Sequence, residues 1–267
     1  MYYSPLRYPG GKSWLALELR TWLSINPSSE LVELFAGGAF ASLLAVVEGY
    51  VSKATLVELD PAVCAVWRSI FSPTADDLCA LIEKFTFDEK SVRELLSVEP
   101  ESEVMLAFRT IVMNRARRGG ILAPGAGLLK LGERKKGMAS RWYPETLCKR
   151  IFMLNSYAKK FSVIEGDALE KLSTLNRRKS HVKLFIDPPY IKLQERGIKP
   201  LYRFNSINHR KLFELVGKTH HDFLMTYDLN EIAMSFAKQQ NLCVEKIQMR
   251  TAHAIKKEEL LITRNCL

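Results

Sequence analysis

The run into Asp187-Pro188-Pro189-Tyr190 constrains this chain more than any other stretch. The apolar residues from His181 to Ile186 read as a buried strand. Proline removes a backbone donor and fixes φ, so no strand continues through Pro188-Pro189. The chain must leave rigid and extended, with Asp187 and Tyr190 held at the strand's carboxyl end. In open α/β sheets that edge is where ligands bind. One chemistry suits such a corner. The exocyclic amino group of a nucleobase has its lone pair delocalised into the ring, and two acceptors on its N–H bonds localise that pair. The Asp187 carboxylate and the Pro188 carbonyl supply two acceptors. Pro189 and Tyr190 can receive a base that has left its helix, Tyr190 by stacking. The plainer alternative is a proline stop with Tyr190 in the core.

Before this corner the chain alternates strand and helix. Pro9-Gly10-Gly11-Lys12 is a tight turn ahead of an amphipathic helix, Ser13 to Leu23. It is no P-loop, because Leu6 stands where that motif needs its first glycine. Bare glycine backbone there lets a ligand approach, with Lys12 reaching its charged end; a capped helix start is the alternative. Glu30 to Phe35 is a short strand, Ala36-Gly37-Gly38-Ala39 a small-residue turn, and Phe40 to Tyr50 a helix. Strand, small turn and helix make the nucleotide-binding βα unit, though GxGxxG spacing is absent. A second strand, Lys53 to Leu59, ends in Glu58. An acid about 20 residues beyond the glycines suits ribose hydroxyls. Asp60 reads as a helix N-cap.

From Phe71 to about Leu147 helical periodicity takes over, with helices expected at Ala75–Phe85, Glu89–Val98 and Val104–Arg115. A Gly/Pro/basic segment follows, suggesting a mobile loop or hairpin. Arg115, Arg117, Arg118, Lys130, Arg134, Lys135, Lys136 and Arg141 concentrate there, with Trp142 and Tyr143 at the edge. Such side chains suit phosphate contacts, and arginine also reads guanine edges; a solvated basic face is the alternative. The net charge of +10 over 267 residues favours a polyanionic partner. Strand and helix then alternate again. A strand from Phe161 to Ile164 ends at Gly166-Asp167. Residues Ile191 to Phe204 are long enough for a lid, and two β-rich runs, Leu242–Ile247 and Glu259–Thr263, finish the pattern. Five cysteines without a CxxC pair imply reduced thiols in a cytoplasm, with neither zinc site nor disulfide frame. The histidines show no metal-ligand spacing. No apolar run is long enough to span a membrane and no secretory signal is visible.

Taken in order, Tyr8-Pro9-Gly10-Gly11-Lys12, Glu33-Leu34-Phe35-Ala36-Gly37-Gly38, Glu58-Leu59-Asp60, Gly166-Asp167 and Asp187-Pro188-Pro189-Tyr190 resemble the Dam-type DNA adenine-N6 methyltransferases. The tail, Ala252-His253 through Glu259-Leu260-Leu261-Ile262-Thr263, resembles that family's closing hairpin. The likeness covers nearly all of the chain except the helical insertion. It implies a Rossmann-like α/β methyltransferase domain at 1–70 and 148–267, interrupted by a helical target-recognition insertion at 71–147. The cofactor implied is S-adenosyl-L-methionine. Tyr8 and Lys12 would contact it, Phe35, Gly37 and Gly38 would line its methionine pocket, Glu58 would hold its ribose, and Asp167 its adenine. Asp187 would orient the target amino group and lie close to the cofactor. The partner implied is double-stranded DNA, with a cognate restriction enzyme possible, in a bacterial or phage-host cytoplasm. The family usually carries Asp at the Glu58 position. The insertion lacks the asparagine-bearing segments of GATC readers, so the target sequence stays open. Cytosine-N4 or ribosomal-RNA guanine-N2 transfer, or a DNA-binding relative without activity, are the rivals.

Overall fold

The structure, a computed structural model, describes residues 3–8, 10–129, 137–191, 204, 206–250 and 256–266. Seven strands form one sheet: β1 (Glu30–Leu34), β2 (Lys53–Glu58), β3 (Phe161–Glu165), β4 (Lys183–Ile186), β5 (Asp222–Asp228), β6 (Cys243–Arg250) and β7 (Lys256–Thr263). Their order is β3-β2-β1-β4-β5-β7-β6. β1 to β5 are parallel, and β7 runs antiparallel between β5 and β6. This is the Rossmann-like α/β class expected. The order reverses between β1 and β4, which makes the crevice at their carboxyl ends the topological switch point.

Period-two burial explains why the sheet is covered on both sides. Leu31, Leu56, Phe185, Leu224 and Leu261 face one cluster. It is built with α1 (Ala16–Ser24), α2 (Phe40–Val47), α3 (Pro61–Ile70) and the helices that follow. Val32, Leu34, Val57, Leu184, Ile186, Met225 and Ile262 face the other. That face is covered by α8 (Ala168–Leu175), α9 (His209–Lys218) and α10 (Glu231–Gln239). Each fully buried aliphatic side chain contributes about 1.5–3 kcal/mol. Asp60, Asp167, Asn208 and Asn230 cap α3, α8, α9 and α10 through their side-chain oxygens, so strand-to-helix turns are closed by short polar residues.

Between β2 and β3, α4 (Ala75–Lys84), α5 (Glu89–Ser97) and α6 (Glu103–Ala116) stand close to the expected helices. Asp88 and Ser102 cap the last two. α7 (Pro144–Asn155) spans the expected boundary at 147/148. Leu78, Ile82, Phe108, Ile111 and Ile151 share one buried cluster with Leu31 and Leu56, so this segment and the sheet have a continuous core. Trp142 stacks on Phe87 with ring centroids 4.6 Å apart.

One expectation is overturned. Cys243 and Cys266 are joined by a disulfide, their Cα atoms 5.3 Å apart. Counting along the chain misses this pair, because strand pairing creates it. Cys243 lies opposite Thr263 in the β6–β7 ladder, and the chain turns back to Cys266 just beyond. Cys64, Cys79 and Cys148 are free and buried. No helix among the described residues is long and apolar enough to cross a membrane.

Candidate active site at the switch point

Strand register assembles the site. Leu34 pairs with Ile186, so the glycine turn and the proline corner leave adjacent strands side by side. Ile186 also pairs with Met225 of β5, which sets Thr226 beside Asp187. Glu58 pairs with Glu165, so Gly166 and Asp167 emerge next to the end of β2. One cleft is lined by Tyr8, Lys12, Phe35, Gly37, Gly38, Glu58, Asp167, Asp187 and Pro189, together with Gly10, Gly11, Glu33 and Phe204. Its empty space, open mouth included, is about 980 Å³, within the range of small-molecule sites. Every residue expected at the cofactor thus lines a single cleft with Asp187 and Pro189 of the proline corner, while Pro188 and Tyr190 are not among its lining residues.

At the corner, Asp187 Oδ1 accepts from Thr226 Oγ1 at 2.7 Å and pairs with Lys12 Nζ at 2.9 Å. Lys12 is almost fully buried. Its Nζ also donates to the Gly10 carbonyl at 2.9 Å, lies 3.9 Å from Glu259 Oε2, and sits 5.2 Å from the Tyr190 ring centroid. Glu259, in β7, is 1% exposed and accepts from the Tyr190 hydroxyl at 3.0 Å. Glu259 and Thr226 were not singled out as site residues in the sequence. The signal is the second of two adjacent acids, Glu258 and Glu259, ahead of an apolar run, and only the β5–β7 register shows where it goes. Tyr190 stacks against Tyr227 at 6.1 Å. Tyr227 hydrogen-bonds His209, whose pKa is pushed down to about 4 by burial.

The glycine turn has a different logic. Phe35 and Ala39 adopt φ of 61° and 53°, a left-handed conformation uncommon outside glycine. A Cβ on Gly37 would meet the Tyr8 ring at 2.6 Å, so Tyr8 can lie against the turn only because Gly37 has none. The Gly37 N–H donates to Glu58 Oε2 at 2.8 Å. Glu58 Oε1 accepts from the amides of Leu59 and Asp60, each at 2.9 Å. Three of about four acceptor sites on this carboxylate are therefore taken by backbone. Burial raises its pKa, against the pull of those amides. Asp167 accepts through Oδ1 from Leu169 and Glu170 amides at 2.8 and 3.0 Å. Glu33 accepts from the Ala41 and Ser42 amides that open α2, at 3.3 and 2.7 Å, and burial raises its pKa to about 7.

Four of the eight expected DNA-contacting residues, Arg115, Arg117, Arg118 and Arg141, are among the described residues. Lys130, Arg134, Lys135 and Lys136 lie outside the described residues, as do residues 192–203 of the expected lid. Arg118 is exposed. Arg117 is half-buried, its Nη1 donating to the Leu122 and Ala123 carbonyls at 3.1 Å each. Arg141 donates to the Arg117 carbonyl at 3.3 Å. Arg115 is buried and donates to the Pro5 carbonyl. Beside it, Asn114 is fully buried and bonds both the N–H and the carbonyl of Arg7, each at 2.9 Å.

The expected absence of histidine clustering does not hold. His181, His220 and His221 bring ring nitrogens within 4.8 Å of one another. They precede β4 and β5, so sheet pairing, not sequence spacing, collects them. The group does not open onto a shared ion position through His221. That ring contacts the Val182 amide at 3.4 Å and the Leu175 carbonyl at 2.9 Å.

No protein-family model matches the sequence, and no curated protein matches it. Among solved structures, the chain is similar to an S-adenosylmethionine-dependent methyltransferase from Agrobacterium tumefaciens, at 9% identity and TM-score 0.43, over 94% of this chain and 62% of that one. A precorrin-6y C5,15-methyltransferase from Geobacter metallireducens gives 10% identity and TM-score 0.40, over 93% and 85%. A tRNA methyltransferase acting at m1A22 in Bacillus subtilis gives 9% and 0.38, over 93% of this chain and 65% of its own, just under two thirds. Likeness at this level carries nothing about substrate.

Proposed function

We propose that this chain transfers a methyl group from S-adenosyl-L-methionine to the N6 amino group of an adenine flipped out of duplex DNA. The supporting observation is that one cleft joins the glycine turn to the proline corner, with Lys12 and Asp187 paired 2.9 Å apart between them. The cleft suits the cofactor. Glu58 retains one acceptor site for a ribose hydroxyl. Asp167 uses only Oδ1 in capping α8, which leaves Oδ2 for an amino group. The cofactor supplies an electrophilic methyl on a sulfonium.

The chain's own residues do the rest. Thr226 and Lys12 both bind Asp187 Oδ1, which fixes the carboxylate's rotation and keeps its charge in place. Oδ2, with no partner among the described residues, accepts one N–H of the target amine, and the Pro188 carbonyl accepts the other. Two acceptors draw the nitrogen toward tetrahedral geometry and expose its lone pair. Tyr190, tied by its hydroxyl to Glu259, offers a ring for stacking that cannot swing away. Positioning of this kind lowers the barrier without a covalent intermediate.

The test is product analysis. Duplex DNA methylated by the protein is digested to nucleosides and weighed, with Asp187→Ala as the control. N6-methyl-2′-deoxyadenosine is expected, with turnover abolished in the variant while duplex binding persists. N4-methyl-2′-deoxycytidine as the product, or turnover retained without Asp187, would refute the mechanism.

A further inference from the structure

All but one of the amides from Ala36 to Ala39, in the glycine turn, have a partner within the protein. Ala36 N–H donates to the Val57 carbonyl at 2.9 Å, and Ala39 N–H to the Ala36 carbonyl at 2.6 Å. Gly37 N–H goes to Glu58. Gly38 N–H has no partner among the described residues, and Gly38 lines the cleft. Further along, the Ala41 and Ser42 amides are taken by Glu33.

What aims the Gly38 amide lies at the other end of its own peptide group. The Gly37 carbonyl accepts from Trp67 Nε1 at 2.8 Å. Trp67, in α3, is 0% exposed. Its ring stacks on Phe71, which in turn stacks on Phe161 at 4.2 Å. The Gly37–Gly38 peptide is trans, so its carbonyl and its N–H point in opposite directions. With the carbonyl held by the buried indole, the N–H faces away from it. A peptide between two glycines is the easiest to turn over, because neither residue has a Cβ. A buried indole N–H needs an acceptor, and meeting that need here removes the freedom. The cofactor carries one anionic group, the carboxylate of its methionine end, and a hydrogen bond to an ion is stronger than one between neutral groups.

We propose that Trp67 is a positioning residue: by holding the Gly37 carbonyl it turns the Gly38 N–H toward the carboxylate of the cofactor. The role deepens the reading of the cofactor site and rests on S-adenosyl-L-methionine binding in this cleft. Trp67 is not among the residues that line the cleft and acts only through the glycine peptide. Its influence is therefore confined to the anionic end of the ligand, while Glu58 and Asp167 serve the nucleoside end.

The test compares two ligands by calorimetric titration: S-adenosylhomocysteine and its decarboxylated analogue, S-adenosyl-3-thiopropylamine. Wild type should bind the first more tightly. Trp67→Phe keeps a ring and loses the donor, so affinity for S-adenosylhomocysteine should fall about five- to tenfold and affinity for the analogue less than about twofold. Phe71→Leu loosens the stack against the indole and keeps its N–H, so the ratio between the two ligands should stay at the wild-type value. Should Trp67→Phe not fold, benzothienylalanine at position 67, with sulfur in place of the N–H, enters the same comparison. Equal losses for both ligands in the Trp67 variant, or no loss, would overturn the role, as would a ratio shifted just as far by Phe71→Leu. A wild type that binds both ligands equally overturns the carboxylate contact while leaving the cofactor site standing. A wild type that binds neither overturns both.

Discussion

Replacing Asn114 by Ala tests how the amino-terminal segment is held against the cofactor cleft. Asn114 is fully buried. It accepts from the Arg7 amide at 2.9 Å and donates to the Arg7 and Gly120 carbonyls at 2.9 and 2.8 Å. Three hydrogen bonds at about 1 kcal/mol each give about 3 kcal/mol. Half-buried Arg7 allows water to replace part of that, while the buried Gly120 carbonyl is left unsatisfied at a cost of about 1–3 kcal/mol. The expected loss is about 2–4 kcal/mol, or a fall in melting midpoint of roughly 5–15 °C. Tyr8 follows Arg7 and lies on Gly37, so affinity for S-adenosylhomocysteine should weaken as well. Asn114→Asp keeps the acceptor for the Arg7 amide but sets a buried carboxylate oxygen against two carbonyls, so it should cost at least as much as Ala. Urea unfolding and calorimetric titration measure the two effects. A stability loss under about 0.5 kcal/mol, within the range of ordinary surface changes, would refute this account.

The other predictions concern the buried acid and the disulfide. Glu33, with a pKa raised from 4.5 to about 7 by burial, binds its proton more tightly folded than unfolded. Its contribution is therefore full at low pH and is lost as pH rises through about 7. Between pH 5 and pH 8 stability should decline by up to roughly 3 kcal/mol more in wild type than in Glu33→Gln; parallel pH profiles would contradict the shift. Thiol titration of unfolded, unreduced protein should count three thiols among the five cysteines, and reduction should lower stability by up to about 3 kcal/mol for a loop of this length. Five reactive thiols before reduction would rule the bond out.

The proline corner and the two glycine turns were legible because proline and glycine restrict backbone whatever surrounds them. The α/β class was legible in the alternation of strand and helix, but the strand order was not. What escaped the sequence depends on which strand pairs with which. Glu259 reaches Lys12 only through the antiparallel β5–β7 ladder. Cys243 finds Cys266 by the neighbouring ladder, and the three histidines meet because β4 and β5 begin side by side. Arg115 and Arg117 show a different limit. Charge in a basic segment suggests an outer face, yet carbonyls of folded-back loops claimed both guanidiniums. Asn114, beside them, likewise gives its amide to backbone.

The placement of β7 has a consequence for how the cleft is completed during synthesis. β6 is synthesised first, but its ladder partner is β7 alone, so it waits unpaired until the later strand slides in beside β5. That same strand delivers Glu259 to Lys12 and Tyr190. A nascent chain still short of residue 259 can own its glycine turns and its proline corner, yet lack the acid that steadies both. The corner's last support therefore arrives with the final strand of this sheet.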